Sequence, residues 1–160
     1  MAADVSIISA VDSADVAVVA KLFGDYAASL DVSLDYQGFA DEVATLPGDY
    51  APPRGLLLLA REEQGEALGC VGCRPLADPG ACEMKRLFVA PAGRGLGLGR
   101  MLVRRLIAEA GALGYREMRL DTLASMDAAQ ALYRAERFEP MAAYYDTPVP
   151  GTIFMRRPLV

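Results

Sequence analysis

Two kinds of hydrophobic pattern follow each other in the first part of the chain. VSIIS, residues 5–9, alternates and is β-branched, which predicts a strand. Apolar positions then recur three or four residues apart, which predicts a helix over 13–30 capped by Asp12 or Ser13. Its apolar stripe consists of Val16, Val19, Leu22, Phe23 and Tyr26. DYQGFADEVATLPG predicts a second, shorter helix, and GDYAPPRG a loop.

Three strand patterns come next, in RGLLLLARE, EALGCVGCRPL and CEMKRLFV, and the short polar turns between them favour antiparallel hairpins. A glycine-rich segment leads into a helix for which Gly114 is a suitable C′ residue. EMRLDTL predicts a strand, DAAQALYRAE a helix, and FEPM and GTIFMRRPL two final strands. The order β-α-α-β-β-β-α-β-α-β-β predicts an α/β fold: a mixed sheet with helices on both faces.

Bulk composition narrows the class of protein. The 160 residues suit a single domain over 1–160, and a hydrophobic fraction of 53% is that of a packed globule. The net charge of −5 argues against nucleic acid as a partner. MAADVSIISA lacks the features of a signal peptide, and the aliphatic run LLLLA is too short to cross a membrane. We therefore expect a cytoplasmic protein with no membrane partner.

The cysteines and the absence of histidine bear on metal chemistry. CVGC has the C-x-x-C spacing, but residues three apart on a strand point to opposite faces. There is no histidine, and only Cys82 remains to complete a site. We expect no metal and interpret Cys70 and Cys73 as small buried strand residues. Without histidine, a Ser-His-Asp triad is also excluded.

The most unusual stretch is FVAPAGRGLGLGRML, residues 88–102, where four glycines precede a helix. Each glycine weakens a helix by roughly 1 kcal/mol relative to alanine, so their density needs another explanation. Glycine lets a ligand approach the backbone, and free N–H groups at a helix start attract an anion. The Lys-Ser/Thr pair of a P-loop is missing. A dinucleotide fingerprint, with Asp121 about 20 positions further on, fits poorly because the spacing is GxGxG.

The segment RGLGLG, residues 94–99, matches [RQ]-x-x-G-x-[GA] and resembles the acetyl-CoA pyrophosphate motif of the GNAT N-acetyltransferases. MKRLFVAP resembles the fourth strand of that family, GYREMRLDT its fifth strand, and ALYRAERF its closing helix-turn LYxxxGF. These motifs cover residues 83–138, and the element order fits the family's fold over the whole chain. The resemblance implies an acetyl-CoA-dependent N-acetyltransferase that moves the acetyl group directly to a primary amine, with no metal.

The resemblance also implies where acetyl-CoA binds. The pyrophosphate would lie on backbone N–H groups at the start of the helix, with charge-assisted bonds from two arginines. Backbone groups at the end of the fourth strand would polarise the thioester, and the start of the last helix would add contacts. The implied cofactor-binding residues are Leu87, Phe88, Val89, Arg94, Gly95, Leu96, Gly97, Leu98, Gly99, Arg100, Ser125 and Ala129.

Two side chains are implied as catalytic. Glu83 stands six residues before the valine that ends the strand, as the family's glutamate base does, and strand alternation would place it on one face with Lys85, Leu87 and Val89. A carboxylate in a partly dry cleft can act as the base, directly or through water. Tyr133, in ALYRAERF, matches the family's tyrosine acid beside the CoA sulfur.

Two positions depart from the family pattern. Met126 stands where members often have asparagine, so Ser125 or Asp127 would cap the last helix, and the glycine of LYxxxGF is Arg137. An arginine held in the left-handed conformation there would cost about 1 kcal/mol. Because of these departures, an alternative remains open: a CoA-binding sensor or partner domain of the same fold with weak or no turnover.

The acceptor itself is not identified by the sequence. An amino-acid-like or other small metabolite amine is expected, because a compact chain leaves little room for a long peptide groove. The expected pocket walls are tyrosines from the first two helices and the last loop: Tyr26, Tyr36, Tyr144 and Tyr145. The exposed edge of a final strand would allow a homodimer.

Overall fold

The computed structural model describes residues 4–63 and 65–159, so the ends of the predicted domain, 1–3 and 160, lie outside the described residues. The strands are β1 (Val5–Ser9), β2 (Leu56–Glu62), β3 (Ala67–Pro75), β4 (Ala81–Val89), β5 (Glu117–Thr122), β6 (Glu139–Met141) and β7 (Ile153–Pro158). The helices are α1 (Ser13–Ala28), α2 (Phe39–Ala44), α3 (Leu98–Ala112) and α4 (Asp127–Ala135). The predicted element order is confirmed.

The seven strands form one mixed sheet in the order β1-β2-β3-β4-β5-β7-β6. The hairpins β2–β3 and β3–β4 are antiparallel, as the short turns predict. The only parallel pair among these strands is β4 with β5, which α3 connects. Apolar clusters cover both faces of the sheet: Leu102 and Leu106 of α3 pack on one face, and Val19 and Phe23 of α1 pack on the other.

Helix ends follow the predicted chemistry in three places. Asp12 caps α1, because its Oδ1 accepts a hydrogen bond of 2.8 Å from the Asp15 amide. Gly114 follows Leu113, the C-cap of α3, with a φ of +98°, as expected of a C′ glycine. Arg137 follows the C-cap of α4 with a φ of +72°, which is the left-handed conformation considered for this arginine in the sequence analysis.

The cysteines are ordinary core residues. Cys70 belongs to the apolar cluster under α1 and Cys73 to the cluster under α3, so they point to opposite faces as predicted. Cys82 is buried as well, and all three are free thiols. Burial raises the pKa of the Cys70 thiol. Over the described residues, no group of His, Cys, Asp and Glu is arranged to hold a metal ion.

None of the helices described here is long and apolar enough to span a membrane.

Strand β4 contains a bulge that strand alternation does not reveal. Gly72 of β3 pairs with Lys85, but Cys70 pairs with Phe88, so β4 carries one more residue than β3 between these points. Arg86, in the bulge, has a φ of +63°. This left-handed backbone is uncommon for a residue with a side chain, and the packing around Arg86 must compensate for it.

The bulge reverses the alternation of β4, so the prediction that Glu83, Lys85, Leu87 and Val89 share one face is wrong. Leu87 and Val89 pack against the cluster under α3. Glu83 and Lys85 lie on the opposite face, because their neighbours Cys82 and Met84 belong to the α3 cluster. Because of this one inserted residue, the odd-numbered side chains of β4 change faces between Lys85 and Leu87.

Strands β4 and β5 separate soon after they meet. Their parallel pairing covers only Ala81–Glu83 and Glu117–Arg119. Beyond this point β4 continues to pair with β3 and β5 with β7. The edges that β4 and β5 turn toward each other are thus left without strand partners, and a cavity opens between them.

Candidate active site

The glycine-rich segment forms the start of α3. Gly97 is the N-cap, with a φ of +73°, and Gly95 has a φ of +82°. Within the described chain, the backbone N–H groups from Gly95 to Arg100 meet no hydrogen-bond acceptor; the first amide that does is that of Met101, bonded to the Gly97 carbonyl. Six consecutive free amides at a helix N-terminus are the arrangement that binds an anion.

The glycines of this segment are required for different reasons. Gly95 and Gly97 adopt left-handed backbone, and a Cβ on either would meet open space. Gly93 is instead tightly packed: its Cβ would lie 2.9 Å from Leu98 Cδ1 and 3.0 Å from the Leu68 carbonyl oxygen. Gly95 and Gly97 therefore shape the anion site directly, while Gly93 holds the loop against the sheet.

Two arginines flank the free amides. Arg94 is exposed and has no salt bridge with any described residue. Arg100 is also exposed, and its Nε lies 3.9 Å from Glu136 Oε2, a carboxylate that Arg104 approaches more closely, at 2.9 Å. Both guanidinium groups are free to turn toward an anion at the helix start.

A cavity of about 370 Å³ lies where β4 and β5 separate. Its wall contains six of the residues predicted from the sequence to be catalytic or to bind the cofactor or substrate: Tyr26, Tyr36, Leu87, Ser125, Ala129 and Tyr133. The remaining wall is formed by Leu30, Leu34, Gln37, Met84, Lys85, Arg86, Asp121, Thr122, Leu123, Met126, Asp127 and Ala128. Phe88, Val89, Glu83, Tyr144 and Tyr145 are not on this wall.

Tyr133 projects from α4 to the cavity. Its side chain is buried, its ring meets the edge of Phe138 at a centroid distance of 5.8 Å, and burial raises the pKa of its hydroxyl. The hydroxyl forms no hydrogen bond with the described residues. Tyr26, across the cavity, also has its pKa raised by burial, to about 12. Both phenols are therefore neutral at physiological pH and can donate a hydrogen bond.

The start of α4 differs from the prediction. The N-cap is Met126, with no side-chain capping bond, so the expectation that Ser125 or Asp127 caps this helix is wrong. Gln130 stabilises the preceding turn instead, because its Nε2 donates to the carbonyls of Leu123, at 2.8 Å, and Ala124, at 3.2 Å. The Asp127 amide donates to the Ser125 carbonyl, whereas within the described residues the amides of Ala128 and Ala129, at the cavity wall, meet no acceptor.

A partly buried amide, Gln37, organises the polar side of the cavity. Its Oε1 accepts from Lys85 Nζ at 2.9 Å and from Arg86 Nη1 at 2.7 Å. Its Nε2 lies 3.0 Å from the Tyr36 hydroxyl, 3.3 Å from the Tyr145 hydroxyl and 3.4 Å from an oxygen of Asp121. This one side chain links two cations, two phenols and a carboxylate. Nothing in the sequence pattern around Gln37 indicated it.

Arg86 is held by a buried carboxylate. Its Nε lies 2.9 Å and its Nη2 3.1 Å from the two oxygens of Glu42, and its guanidinium stacks 5.0 Å from the centre of the Phe39 ring. Burial alone would raise the pKa of Glu42, but the hydrogen bonds and charge of Arg86 hold it below its ordinary value. The pair stabilises the left-handed bulge.

Lys85 is the second cation of the bulge. Its side chain is 4% exposed, and its Nζ lies 3.7 Å from Asp121 Oδ1. Burial lowers the pKa of Lys85, while Glu83 and Asp121 oppose that shift. The cavity therefore has a cation and a carboxylate facing each other across its polar wall.

Glu83 is buried, and donors occupy both of its carboxylate oxygens. Arg74 Nε lies 3.0 Å from its Oε1, the Tyr144 hydroxyl donates to its Oε2 at 2.5 Å, and the side chain is 2% exposed. Tyr144 and Tyr145, instead of lining the cavity as expected, hold the segment before β7 against the sheet. Both rings pack on Phe154, at 5.1 and 5.2 Å between centroids.

Comparisons with known proteins agree with this geometry. The acetyltransferase (GNAT) family model matches residues 24–137. An uncharacterised N-acetyltransferase of Schizosaccharomyces pombe is 43% identical over 84% of this chain and 83% of its own length. A Klebsiella pneumoniae structure assigned provisionally as an acyl-CoA N-acyltransferase has 29% identity and a TM-score of 0.72, covering 99% and 98% of the two chains. A provisionally assigned Salmonella typhimurium acetyltransferase, solved with its cofactor acetyl-CoA, has 24% identity and a TM-score of 0.69, covering 98% and 94%.

Proposed function

Because the chain belongs to the GNAT family of acetyltransferases, we propose that it transfers the acetyl group of acetyl-CoA to the primary amine of a small molecule. Membership confirms the family, the fold class and the acyltransferase activity predicted from the sequence. The observation that carries the proposal is the row of free amides from Gly95 to Arg100. This row of amides lies at the start of α3. Leu87, which precedes the row on β4, lines the cavity.

In the proposed complex the pyrophosphate of acetyl-CoA accepts hydrogen bonds from these amides. The helix dipole adds up to about 1 kcal/mol for a negative charge at this end, and Arg94 and Arg100 supply charge-assisted bonds. The Salmonella structure supports acetyl-CoA as the donor, since that protein shares the fold and holds this molecule.

The thioester would enter between the separated strands. After Glu83, the edge of β4 that faces β5 has no strand partner, so backbone amides near Leu87 can polarise the thioester carbonyl. Tyr133 would then protonate the leaving thiolate, because its unpaired, neutral hydroxyl lies on the cavity wall. Ser125 and Ala129, on the same wall, would contact the pantetheine chain.

A small acceptor fits the cavity better than a peptide does. A volume of about 370 Å³ is at the lower end of the range for small-molecule sites. Leu30, Leu34 and Tyr36 add mostly apolar surface to its wall. Tyr26 and Tyr36 would contact the acceptor, and the charged pair Lys85 and Asp121 would orient its polar end.

The experiment is thiol release from acetyl-CoA with a panel of amines: 2-phenylethylamine, L-phenylalanine, L-methionine, spermidine and a peptide with a free N-terminus. We expect turnover with at least one small amine and less with the peptide. Tyr133→Phe should keep acetyl-CoA affinity but lose kcat. The matched control is Tyr115→Phe, a buried tyrosine away from the cavity whose hydroxyl donates to the Arg54 carbonyl at 2.8 Å.

Three results would contradict the proposal. Turnover of the peptide alone would exclude the small-molecule acceptor. Tight binding of acetyl-CoA without thiol release on any acceptor would support the sensor domain instead of the enzyme. No binding of acetyl-CoA at all would remove the assignment of the amide row between Gly95 and Arg100.

A further inference from the structure

We propose that Asp121, rather than Glu83, is the carboxylate that binds the acceptor ammonium and takes its proton. The inference rests on the proposed function, because it names the base for that same acetyl transfer. It comes from a difference in how the oxygens of these two carboxylates are occupied.

Asp121 has one occupied oxygen and one open oxygen. Its Oδ2 accepts from the Tyr145 hydroxyl at 2.7 Å and from Gln37 Nε2 at 3.4 Å. Its Oδ1 forms no hydrogen bond within the described chain; the closest cation, Lys85 Nζ, is 3.7 Å away. The side chain is only 9% exposed and lies on the cavity wall. A carboxylate on a cavity wall, with one oxygen that accepts no hydrogen bond, is suited to receive a donor from a ligand.

Glu83 offers no comparable oxygen. Arg74 occupies Oε1 and Tyr144 occupies Oε2, and the side chain does not reach the cavity wall. For Glu83 to contact an acceptor, both donors would have to leave, and a buried carboxylate would lose two charge-assisted or strong hydrogen bonds, each worth about 1.5–3 kcal/mol. Glu83 instead anchors Tyr144, and thereby the segment that carries Tyr145 to Asp121.

The position of Asp121 relative to the acid completes the argument. Asp121 is the penultimate residue of β5 and Tyr133 lies on the helix that follows, and both line the same cavity, with Leu87 of β4 across the opening. An amine bound at Oδ1 is therefore placed between the base, the strand that would polarise the thioester, and the acid.

The proposed step balances as follows. The acceptor ammonium gives one proton to Asp121 Oδ1, and the free amine nitrogen bonds to the thioester carbonyl carbon. The C–S bond then breaks, and the CoA thiolate takes the proton of Tyr133. The second proton lost by the nitrogen returns to Tyr133, and Asp121 releases its proton to water. One proton is released per acetyl group transferred.

The test uses the whole protein and compares acid-to-amide variants. Asp121→Asn keeps the shape and the bond to Tyr145 but cannot accept a proton. We expect its kcat/KM with the fastest amine of the panel to fall about 10²–10⁴-fold, with the Kd for acetyl-CoA unchanged within two-fold. Glu83→Gln, the rival carboxylate, should lose less than ten-fold. Glu109→Gln, at an exposed ion pair of α3 with Arg105, is the control for the substitution itself.

The pH profile separates a base from a structural carboxylate. Aliphatic ammonium groups titrate near 10, about where lysine does, so each unit of pH gives about ten-fold more free amine. The Asp121→Asn rate should rise with that slope between pH 7 and 9, whereas the wild-type rate should rise less, because its base deprotonates bound ammonium. The titratable or charged groups around Asp121 are Tyr26, Tyr36, Glu83, Lys85, Arg86, Tyr133, Tyr144 and Tyr145.

Three outcomes overturn the proposal. In the first, Asp121→Asn retains more than a third of the activity. In the second, Glu83→Gln loses as much as Asp121→Asn. In the third, the two pH profiles are parallel. Should Asp121→Asn fail to fold, Tyr145→Phe removes the shorter of the two hydrogen bonds to Oδ2, together with the contact between Tyr145 and Gln37, and should reduce kcat/KM three- to ten-fold; an unchanged value contradicts the assignment. A wild type that acetylates no amine rejects the proposed function itself, which is a distinct result.

Discussion

The ion pair between Glu42 and Arg86 provides the sharpest test of how the site is held together. Glu42 accepts two hydrogen bonds from Arg86, and the Tyr50 hydroxyl adds a third, at 3.1 Å from its Oε2. The Glu42 side chain is 9% exposed and that of Arg86 is 3% exposed. Glu42→Gln keeps the size of the side chain but removes the charge that faces the guanidinium.

The expected loss of stability follows from the burial of the Glu42–Arg86 pair. Removing one partner of a buried pair leaves the other charge uncompensated and destabilises a protein by about 3–5 kcal/mol. Within the described residues, Glu42 is the only carboxylate in a salt bridge with Arg86. For a chain of 160 residues, each kcal/mol lowers Tm by about 2–4 °C, so we expect Tm to fall by roughly 6–20 °C.

Thermal and urea unfolding, followed by circular dichroism at neutral pH, measures this loss. Glu109→Gln is the matched control, because its partner Arg105 is 46% exposed and such pairs contribute about 0–1 kcal/mol. Equal stabilities of the two variants would refute the claim that the Glu42 pair holds the bulge.

The stability difference between wild type and Glu42→Gln should also depend on pH, in a direction that can be predicted. Arg86 keeps the folded-state pKa of Glu42 below its ordinary value of about 4.3. Such a group contributes its full stabilisation above the ordinary pKa and loses it as the pH falls through the folded-state pKa. The stability difference between wild type and Glu42→Gln should thus be constant from pH 7 to about 5 and shrink below about 4. A difference that persisted undiminished in acid would mean that the charge of Glu42 is not its source.

Three further substitutions address the anion site and the acid. Gly97→Ala, at a φ of +73° with open space around its Cβ, should cost about 1–2 kcal/mol of stability and raise the Kd for acetyl-CoA, measured by calorimetry. Gly93→Ala should destabilise the fold more than Gly97→Ala does, as measured by urea unfolding, because its Cβ would lie 2.9 Å from Leu98 Cδ1 and 3.0 Å from the Leu68 carbonyl. Tyr133→Phe should lower kcat about 10²-fold or more while the Kd for acetyl-CoA stays within two-fold, and an unaltered kcat would exclude Tyr133 as the acid.

The order and type of the main elements could be predicted because their signals are local. Hydrophobic period, turn residues and helix caps act over a few positions, and these gave the seven strands and the boundaries of α3 and α4 closely. The second helix was less regular than predicted, since Gly38, with a φ of +67°, divides it into a 3₁₀ turn over Asp35–Gln37 and the short α2. A glycine inside a helical pattern signals such a break only weakly.

The candidate site was predictable in part, for a related reason. The glycine segment and Tyr133 belong to contiguous motifs, so their positions could be assigned from the sequence. Asp121 and Gln37 are 84 positions apart along the chain and meet only through the fold. Whether a carboxylate is open or already occupied depends on donors from distant segments, such as Tyr144 for Glu83, which lies 61 positions away. No spacing rule contains that information.

The bulge in β4 explains why these distant residues converge on one wall. A regular strand presents alternate residues to a cavity, whereas β4 lines this one with the consecutive residues 84–87. The inserted residue brings Lys85 and Arg86 to the same side, and two adjacent buried cations require acceptors from elsewhere in the chain. Gln37 and Glu42 satisfy Arg86, while Lys85 shares Gln37 and faces Asp121. The bulge thus places Lys85 where its Nζ bonds to Gln37 at 2.9 Å and stands 3.7 Å from the Asp121 oxygen that accepts no hydrogen bond.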